Sequence, residues 1–318
     1  MRAKLQYRAR RRKRGNRVRI FQVDAFTHER FSGNPATVVL DADGQSDAAM
    51  IAIAREFSHA EAAFVSAADA PDHDVRLRFF NSRKEAPFVG HATIAAHAVM
   101  LALGRRGAAP IRQACGTGVV EVCVRDDPGP PGRGPIIEFR QTVPELDNPL
   151  PFKTTLRVAE ALRLPATSLH DVMPARLARK GSTRLLVPIA DARALDVLAP
   201  NAETLTSLGQ EIGADGFFVF AAHRGPGPDE LTTESRMFCP ALGIPEDPAS
   251  GNAHVMLASY LFEIGQFSKH ATGFLGLQGR HMGRPSRIQV RLEMDDGALA
   301  AAHVGGRAVI VSEGQLAL

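Results

Sequence analysis

Residues 90–104, GHATIAAHAVMLALG, carry only three polar side chains, those of His91, Thr93 and His97. A helix formed by this stretch is apolar around nearly its whole circumference. Such a helix belongs in a core, because every face of it must be covered by other elements. The strand-like segments DVRLRFF (74–80) before it and VVEVCV (119–124) after it are the available cover.

A second stretch of the same kind, SGNAHVMLASYLFEIG, occupies residues 250–265. When the two stretches are superimposed, Gly90 falls on Gly251 and Ala92 falls on Ala253. Both halves of the chain have strands, a glycine turn, a buried helix and further strands in that order, which indicates an internal repeat. We therefore predict an α+β protein of two pseudo-symmetric lobes, each a β-barrel-like sheet around a central buried helix.

The lobe boundary is predicted near QTVPELDNPLPF (141–152), where proline and polar residues gather. The predicted organisation is a basic disordered tail over residues 1–17, an N-terminal lobe over 18–145 and a C-terminal lobe over 146–318. At 318 residues the chain is long enough for two lobes with substantial cores.

Positive charge is concentrated in the tail MRAKLQYRARRRKRGNR, which holds nine Lys or Arg and no acid. The whole chain carries +4, so residues 18–318 carry −5. Three interpretations of the tail stay open: a nucleic-acid-binding arm, a disordered leader, or an overlong start assignment. Nucleic-acid binding is not expected of the protein, because no basic or aromatic stripe continues beyond the tail.

The three cysteines, Cys115, Cys123 and Cys239, have no metal-ligand spacing and are too few for a disulfide framework. This usage favours a reducing cytoplasm. No apolar stretch is long enough to cross a membrane, so we expect a soluble protein. The metalloprotease, P-loop and dinucleotide-binding motifs are all absent from the sequence.

Three residues are candidates for chemistry. Asp247 precedes the second buried helix, where the helix dipole favours an acid and where unpaired N–H groups suit a carboxylate ligand. His91 follows Gly90 at the start of the first buried helix and titrates near neutral pH. Glu61 lies in an apolar stretch, where burial would favour acid–base work. The structural alternatives are an ordinary N-terminal acid, a structural histidine and a solvent-facing strand glutamate.

Five segments, taken in order and spacing, resemble the PhzF-like isomerase family of phenazine biosynthesis. They are FQVDAFTHERFSGNPATVVL (21–40), AEAAFV (60–65), VGHATIAAH (89–97), EDPASGNAH (246–254) and GRHMGRPSRIQV (279–290). The resemblance covers about residues 18–316. It implies a diaminopimelate epimerase-like fold, no metal or organic cofactor, and commonly a homodimer.

The resemblance also implies site residues. The family's acid/base glutamate falls on Glu61, its glycine and histidine on Gly90 and His91, and its aspartate on Asp247. Gly251 and Asn252 would join Gly90 in binding the substrate. The best-known family activity isomerises trans-2,3-dihydro-3-hydroxyanthranilate. By analogy, Glu61 would move a proton between two ring carbons. Asp247 and His91, the other two catalytic candidates, would hold the substrate's amine and carboxylate and assist the proton transfer.

The sequence departs from the pattern of related proteins in three respects. The segment FFNSRKEAPFVG (79–90) lacks the usual Phe-Thr-Pro and Cys-Gly pattern. Epimerases of this fold use two thiols, whereas Val89 precedes Gly90 here and DPAS (247–250) holds no cysteine. The family's frequent serine after the second glycine is replaced by Asn252. We therefore expect a cofactor-independent isomerase of a small cyclic amino or hydroxy carboxylate. The alternative is a catalytically silent small-molecule-binding protein of the same fold.

Overall fold

The computed structural model describes residues 17–57, 61–126, 133–225, 227, 229–268, 270 and 272–317. Within these ranges the strands are β1 (Arg17–Ala25), β2 (Asn34–Leu40), β3 (Ala62–Ala67), β4 (Val75–Phe80), β5 (Glu85–Ala86), β6 (Ile111–Cys115), β7 (Gly118–Arg125), β8 (Ile136–Thr142), β9 (Glu145–Pro149), β10 (Arg176–Lys180), β11 (Ser182–Pro188), β12 (Gly216–Arg224), β13 (Leu231–Cys239), β14 (Ile244–Asp247), β15 (Gly273–Gln278), β16 (Ser286–Asp295), β17 (Ala298–Gly306) and β18 (Ala308–Ala317). The α-helices are α1 (Asp47–Glu56), α2 (Gly90–Ala102), α3 (Phe152–Ala161), α4 (Ala202–Ile212) and α5 (Gly251–Glu263). Short 3₁₀ helices lie at Ala166–Ser168, Ala192–Leu195, Pro240–Leu242 and Arg280–Met282. The predicted basic tail, except Arg17 in β1, lies outside the described residues.

The described residues form two compact units. The first runs up to Arg140 and includes the C-terminal residues from Gly305 onward, and the second is Gln141–Val304. The sequence prediction placed the boundary after residue 145 and assigned the C-terminal strand to the second lobe. The structure differs because β18 pairs antiparallel with β1 along its length. Local sequence patterns carry no information about such a distant partner.

The sheet of the first unit is a chain of strand pairings. β18 pairs antiparallel with β1, β1 antiparallel with β2, and β2 parallel with β3. β3 then pairs antiparallel with β4, β4 parallel with β6, and β6 antiparallel with β7. The parallel pairs require crossovers, which α1 supplies between β2 and β3 and α2 supplies between β4 and β6.

The sheet of the second unit repeats the same order of pairings. β9, β10 and β11 are antiparallel neighbours, β11 and β12 are parallel, and β12 and β13 are antiparallel. β13 and β15 are parallel, and β15 and β16 are antiparallel. α4 and α5 supply the two crossovers. This repeated topology is the pseudo-symmetry that the sequence predicted.

Each long apolar helix is the centre of its own unit. α2 packs against β1, β2, β3 and β18, and nine of its residues are buried. α5 packs against β10, β11 and β16 and is buried continuously from Ala253 to Leu261. The prediction of two core helices is confirmed. No helix among the described residues is long and apolar enough to span a membrane.

Amphipathic helices add smaller cores. α1 packs with β1, β2 and β3 around Met50 and Ile53, and Ser46 caps it by accepting from the Ala49 amide at 3.2 Å. In the second unit, α3 and α4 enclose a core that includes Val158, Leu205 and Phe217. The sequence prediction did not include these two helices.

Candidate functional site

The loop that leads into α5 is fixed at nearly every backbone group. The Asp247 carboxylate accepts from the Ala249 amide at 3.2 Å, and the Ser286 hydroxyl donates to the Pro248 carbonyl at 2.9 Å. Gln278 bridges the loop, because its Nε2 donates to the Asp247 carbonyl at 2.5 Å and its Oε1 accepts from the Ser250 amide at 3.1 Å. The Asp247 side chain is therefore presented by a preorganised backbone.

His254 supports the same loop from inside the core. It is fully buried, and its Nδ1–H donates to the Ser250 carbonyl at 2.8 Å. Its ring stacks on Phe274 and meets the edge of Phe218. Burial lowers its pKa to about 4, so the imidazole is neutral at physiological pH. This histidine is a positioning residue.

Asn252 occupies the first turn of α5 and faces the β10–β11 turn. Its Nδ2 lies 3.3 Å from the Lys180 carbonyl oxygen and 3.1 Å from Ser182 Oγ. Lys180 donates through Nζ to Thr142 Oγ1 at 2.6 Å, and burial lowers the pKa of its amine. The turn and the start of α5 are thus held as one assembly.

Glu61 and His91 come together in the first unit. Glu61 Oε2 lies 3.7 Å from His91 Nε2. The exposed fraction of the side chain is 21% for Glu61 and 10% for His91. Glu61 directly precedes β3 and His91 is in the first turn of α2, so two well-packed elements set the separation.

Gly90 begins α2 where a side chain has no room. A Cβ built on it would lie 2.9 Å from Cζ of Phe139, a ring that packs edge-on with Phe88. The N-cap of α2, Val89, and that of α5, Ser250, make no side-chain cap hydrogen bond. Neither N-cap side chain therefore competes with an anionic group of a ligand for the first-turn amide N–H groups and the positive dipole.

A buried polar network lies behind α2. His97 Nδ1 accepts from Arg106, and His97 Nε2 donates to Gln113 Oε1 at 2.9 Å. Gln113 continues to the Thr93 hydroxyl at 3.4 Å. Burial, with the Arg106 cation as the second cause, lowers the pKa of His97 to about 3. His97 is therefore a neutral structural residue.

Two of the three cysteines are poorly suited to thiol chemistry. Burial raises the pKa of Cys239 to about 12 and also raises the pKa of Cys123. A thiolate is the reactive form of cysteine, so these thiols are poor nucleophiles and bases. The described residues contain no group of three or more His, Cys, Asp or Glu that could hold a metal ion.

The structure thus places the predicted residues in two groups. Glu61, Gly90 and His91 gather at the start of α2, while Asp247, Gly251 and Asn252 gather at the start of α5. Sequence reasoning missed Gln278 and Ser182, which lie alone in strands and carry no motif. Ser286 lies in the family-like segment GRHMGRPSRIQV, and this segment could have identified Ser286 as a residue near the site.

Known proteins resemble this chain over most of its length. The family model described as phenazine biosynthesis-like protein matches residues 23–314. An uncharacterized isomerase, YddE, of Escherichia coli (strain K12) is 34% identical over 304 residues, covering 94% of this chain and 98% of that protein. The trans-2,3-dihydro-3-hydroxyanthranilate isomerase of Pseudomonas aeruginosa is 28% identical over 293 residues, covering 92% and 97%.

A solved structure supports the fold. The PhzF-family phenazine biosynthesis protein of Bacillus anthracis superimposes with a TM-score of 0.82 at 24% identity, covering 95% of this chain and 99% of that one. The predicted epimerase-like α+β fold is confirmed, and the named isomerases among the relatives favour an enzyme over the silent binding protein. The chain belongs to the phenazine biosynthesis-like (PhzF) family and is an isomerase.

Proposed function

We propose that this isomerase shifts a proton and a double bond within a small cyclic amino or hydroxy carboxylate, with Glu61 as the proton carrier and no cofactor. The first candidate substrate is trans-2,3-dihydro-3-hydroxyanthranilate, which the Pseudomonas aeruginosa relative is named for. Glu61 beside His91 at the start of α2 is the observation that carries the proposal.

The chemistry follows from a carboxylate that is partly withdrawn from water. Glu61 takes a proton from one ring carbon, and the electron pair of that C–H bond enters the conjugated system as the double bond moves. The carboxyl group then returns the proton to another ring carbon, so no atom is gained or lost. Such a proton carrier must stay in reach of both carbons, which suits a side chain fixed at the start of a buried strand.

The remaining predicted residues bind the substrate's polar groups in this proposal. His91 and Asp247 hold the carboxylate and the amine, and the backbone at Gly90 and Gly251 adds amide donors of uncapped helix starts. The rigid loop around Asp247 favours this role, because its geometry is set before a ligand arrives.

The test is turnover in D₂O with trans-2,3-dihydro-3-hydroxyanthranilate and a panel of small amino and hydroxy acids. NMR and mass spectrometry score both product formation and solvent deuterium uptake, because direct transfer of the same proton leaves no label. Glu61→Gln should abolish turnover while ligand binding and fold persist. Glu56→Gln is the matched control, since Glu56 is exposed at the end of α1.

Two outcomes would remove Glu61 from the mechanism: turnover that survives in Glu61→Gln, or an equal loss in Glu56→Gln. Ligand binding with neither product nor label for any compound would count against this substrate class. We further propose a cytoplasmic homodimer, which light scattering of the full chain and cell fractionation test directly.

A further inference from the structure

We propose that Asn252 determines substrate specificity by presenting its side-chain oxygen, Oδ1, as an acceptor for an amino or hydroxyl group of the substrate. This inference rests on the proposed substrate site at the start of α5. Asn252 then contacts the substrate as a hydrogen-bond acceptor and not as a donor. Ser182 is the residue that positions the Asn252 amide.

The orientation of the Asn252 amide is set by a backbone carbonyl. The group 3.3 Å from the Lys180 carbonyl oxygen must be Nδ2, because a carbonyl oxygen only accepts and the opposite orientation would place two oxygens against each other. The second acceptor, Ser182 Oγ, lies 3.1 Å from the same nitrogen. Both N–H bonds of Asn252 therefore have acceptors within the protein.

The other end of the amide has no such partner. Among the described residues no donor reaches Asn252 Oδ1, yet this oxygen is not sealed from solvent. An amide whose N–H groups are engaged and whose oxygen is open can contact a ligand only as an acceptor. A substrate that meets it favourably must bring an N–H or O–H group to that point.

The β10–β11 turn is built to hold this orientation. Lys180 and Ser182 are directly paired across the hairpin, and Gly181 between them has a φ of +67°, which favours glycine. Lys180 is tied again through Nζ to Thr142 Oγ1 at 2.6 Å. Because β10 is also paired with β9, the two acceptors for Asn252 are part of the sheet.

Equilibrium binding of stable ring carboxylates tests the inference without turnover. Isothermal titration calorimetry would compare anthranilate and salicylate, which carry a donor beside the carboxylate, with benzoate, which does not. The wild-type protein should prefer the donor-bearing ligands by about tenfold or more, since benzoate leaves the acceptor without a partner.

Three variants then separate the roles. In Asn252→Ala the ratio of the affinities for donor-bearing ligands and for benzoate should fall close to one. Ser182→Ala should lower the same ratio, because the Asn252 amide then loses one of its two acceptors. Ser182→Thr keeps the hydroxyl and should restore the preference. Asn148→Ala, at an exposed asparagine of β9, is the matched control, and circular dichroism of each variant checks the fold.

Equal affinities for all three ligands, or no saturable binding of the donor-bearing ones, would overturn the inference. So would a preference that survives in Asn252→Ala. These binding measurements do not depend on Glu61. A failure of the proposed acceptor role of Asn252 can therefore be told apart from a failure of the proposed proton transfer by Glu61.

Discussion

Gln278 offers the sharpest test of how the loop at Asp247 is held. It is 4% exposed and bridges the loop with both ends of its amide, donating to the Asp247 carbonyl and accepting from the Ser250 amide. Gln278→Ala removes both partners at once. The Asp247 carbonyl and the Ser250 amide must then hydrogen-bond to water or remain buried without a partner.

The expected cost follows from those two groups. A buried polar group left without its partner costs about 1–3 kcal/mol, so with two such groups the free energy of unfolding of the second unit should fall by about 2–6 kcal/mol. The Ser250 amide should lose protection against hydrogen exchange, because its acceptor is the deleted side chain. Steady-state turnover should fall as well, through the displaced Asp247 carboxylate.

The assay is hydrogen–deuterium exchange of the peptide that covers the loop, together with urea unfolding. Gln315→Ala, at an exposed position of β18, is the matched control. Unchanged exchange at Ser250 with an unchanged urea midpoint would refute the claim that Gln278 holds the loop.

Gln278→Glu adds a pH dependence of known sign. Only the protonated carboxyl can donate to the Asp247 carbonyl, so folding raises the pKa of this new group above about 4.3, its unfolded value. Its stabilisation is then complete below that pH and is lost as the pH rises through the folded pKa.

Three further perturbations follow from buried groups. In Gly276→Ala the new Cβ would lie 2.1 Å from His254 Nε2, so the free energy of unfolding should fall by at least about 1–3 kcal/mol. Adding His254→Ala to this variant should remove the steric clash. Burial lowers the pKa of His97 and of His254 to about 3 and about 4. Because the unfolded chain then binds more protons, stability should fall as the pH drops from about 6.5 toward 4, by up to about 1.4 kcal/mol per pH unit for each histidine. Arg236→Met breaks a buried two-bond pair with Glu246 and should cost about 3–5 kcal/mol.

Urea unfolding measures all three, and each has its own contradicting result. A Gly276→Ala protein as stable as wild type would mean that the ring moves freely. Equal urea midpoints at pH 7 and pH 5 would show that the two imidazoles are not held neutral by folding. An Arg236→Met change below about 1 kcal/mol would place that pair in the class of weak surface contacts.

The two core helices were predictable from sequence because their signal is local. α2 and α5 are apolar on every face, and the Ser46 cap of α1 is a short-range motif. α4 had equally readable signals in its Asn201 cap and the left-handed Gly213 that ends it. Its apolar residues occupy only one face, so its sequence lacks the unbroken apolar run that marks α2 and α5.

The site was predictable only in part, and for a different reason. The family-like segments located Glu61, His91 and Asp247, but contact between Glu61 and His91 depends on how β3 packs beside α2. The orientation of Asn252 depends on a hairpin seventy residues away in sequence. Polar contacts at such separation leave no pattern in a single sequence.

The pairing of β18 with β1 has a consequence for synthesis on the ribosome. The second unit is one continuous stretch and is complete once Val304 has emerged, whereas in the first unit β1 has β2 on one side and lacks its second neighbour until β18 leaves the exit tunnel. At about 5–20 residues per second, most of β1 to β8 waits for many seconds with one edge uncovered. The half of the chain that is made first is therefore the half that finishes folding last.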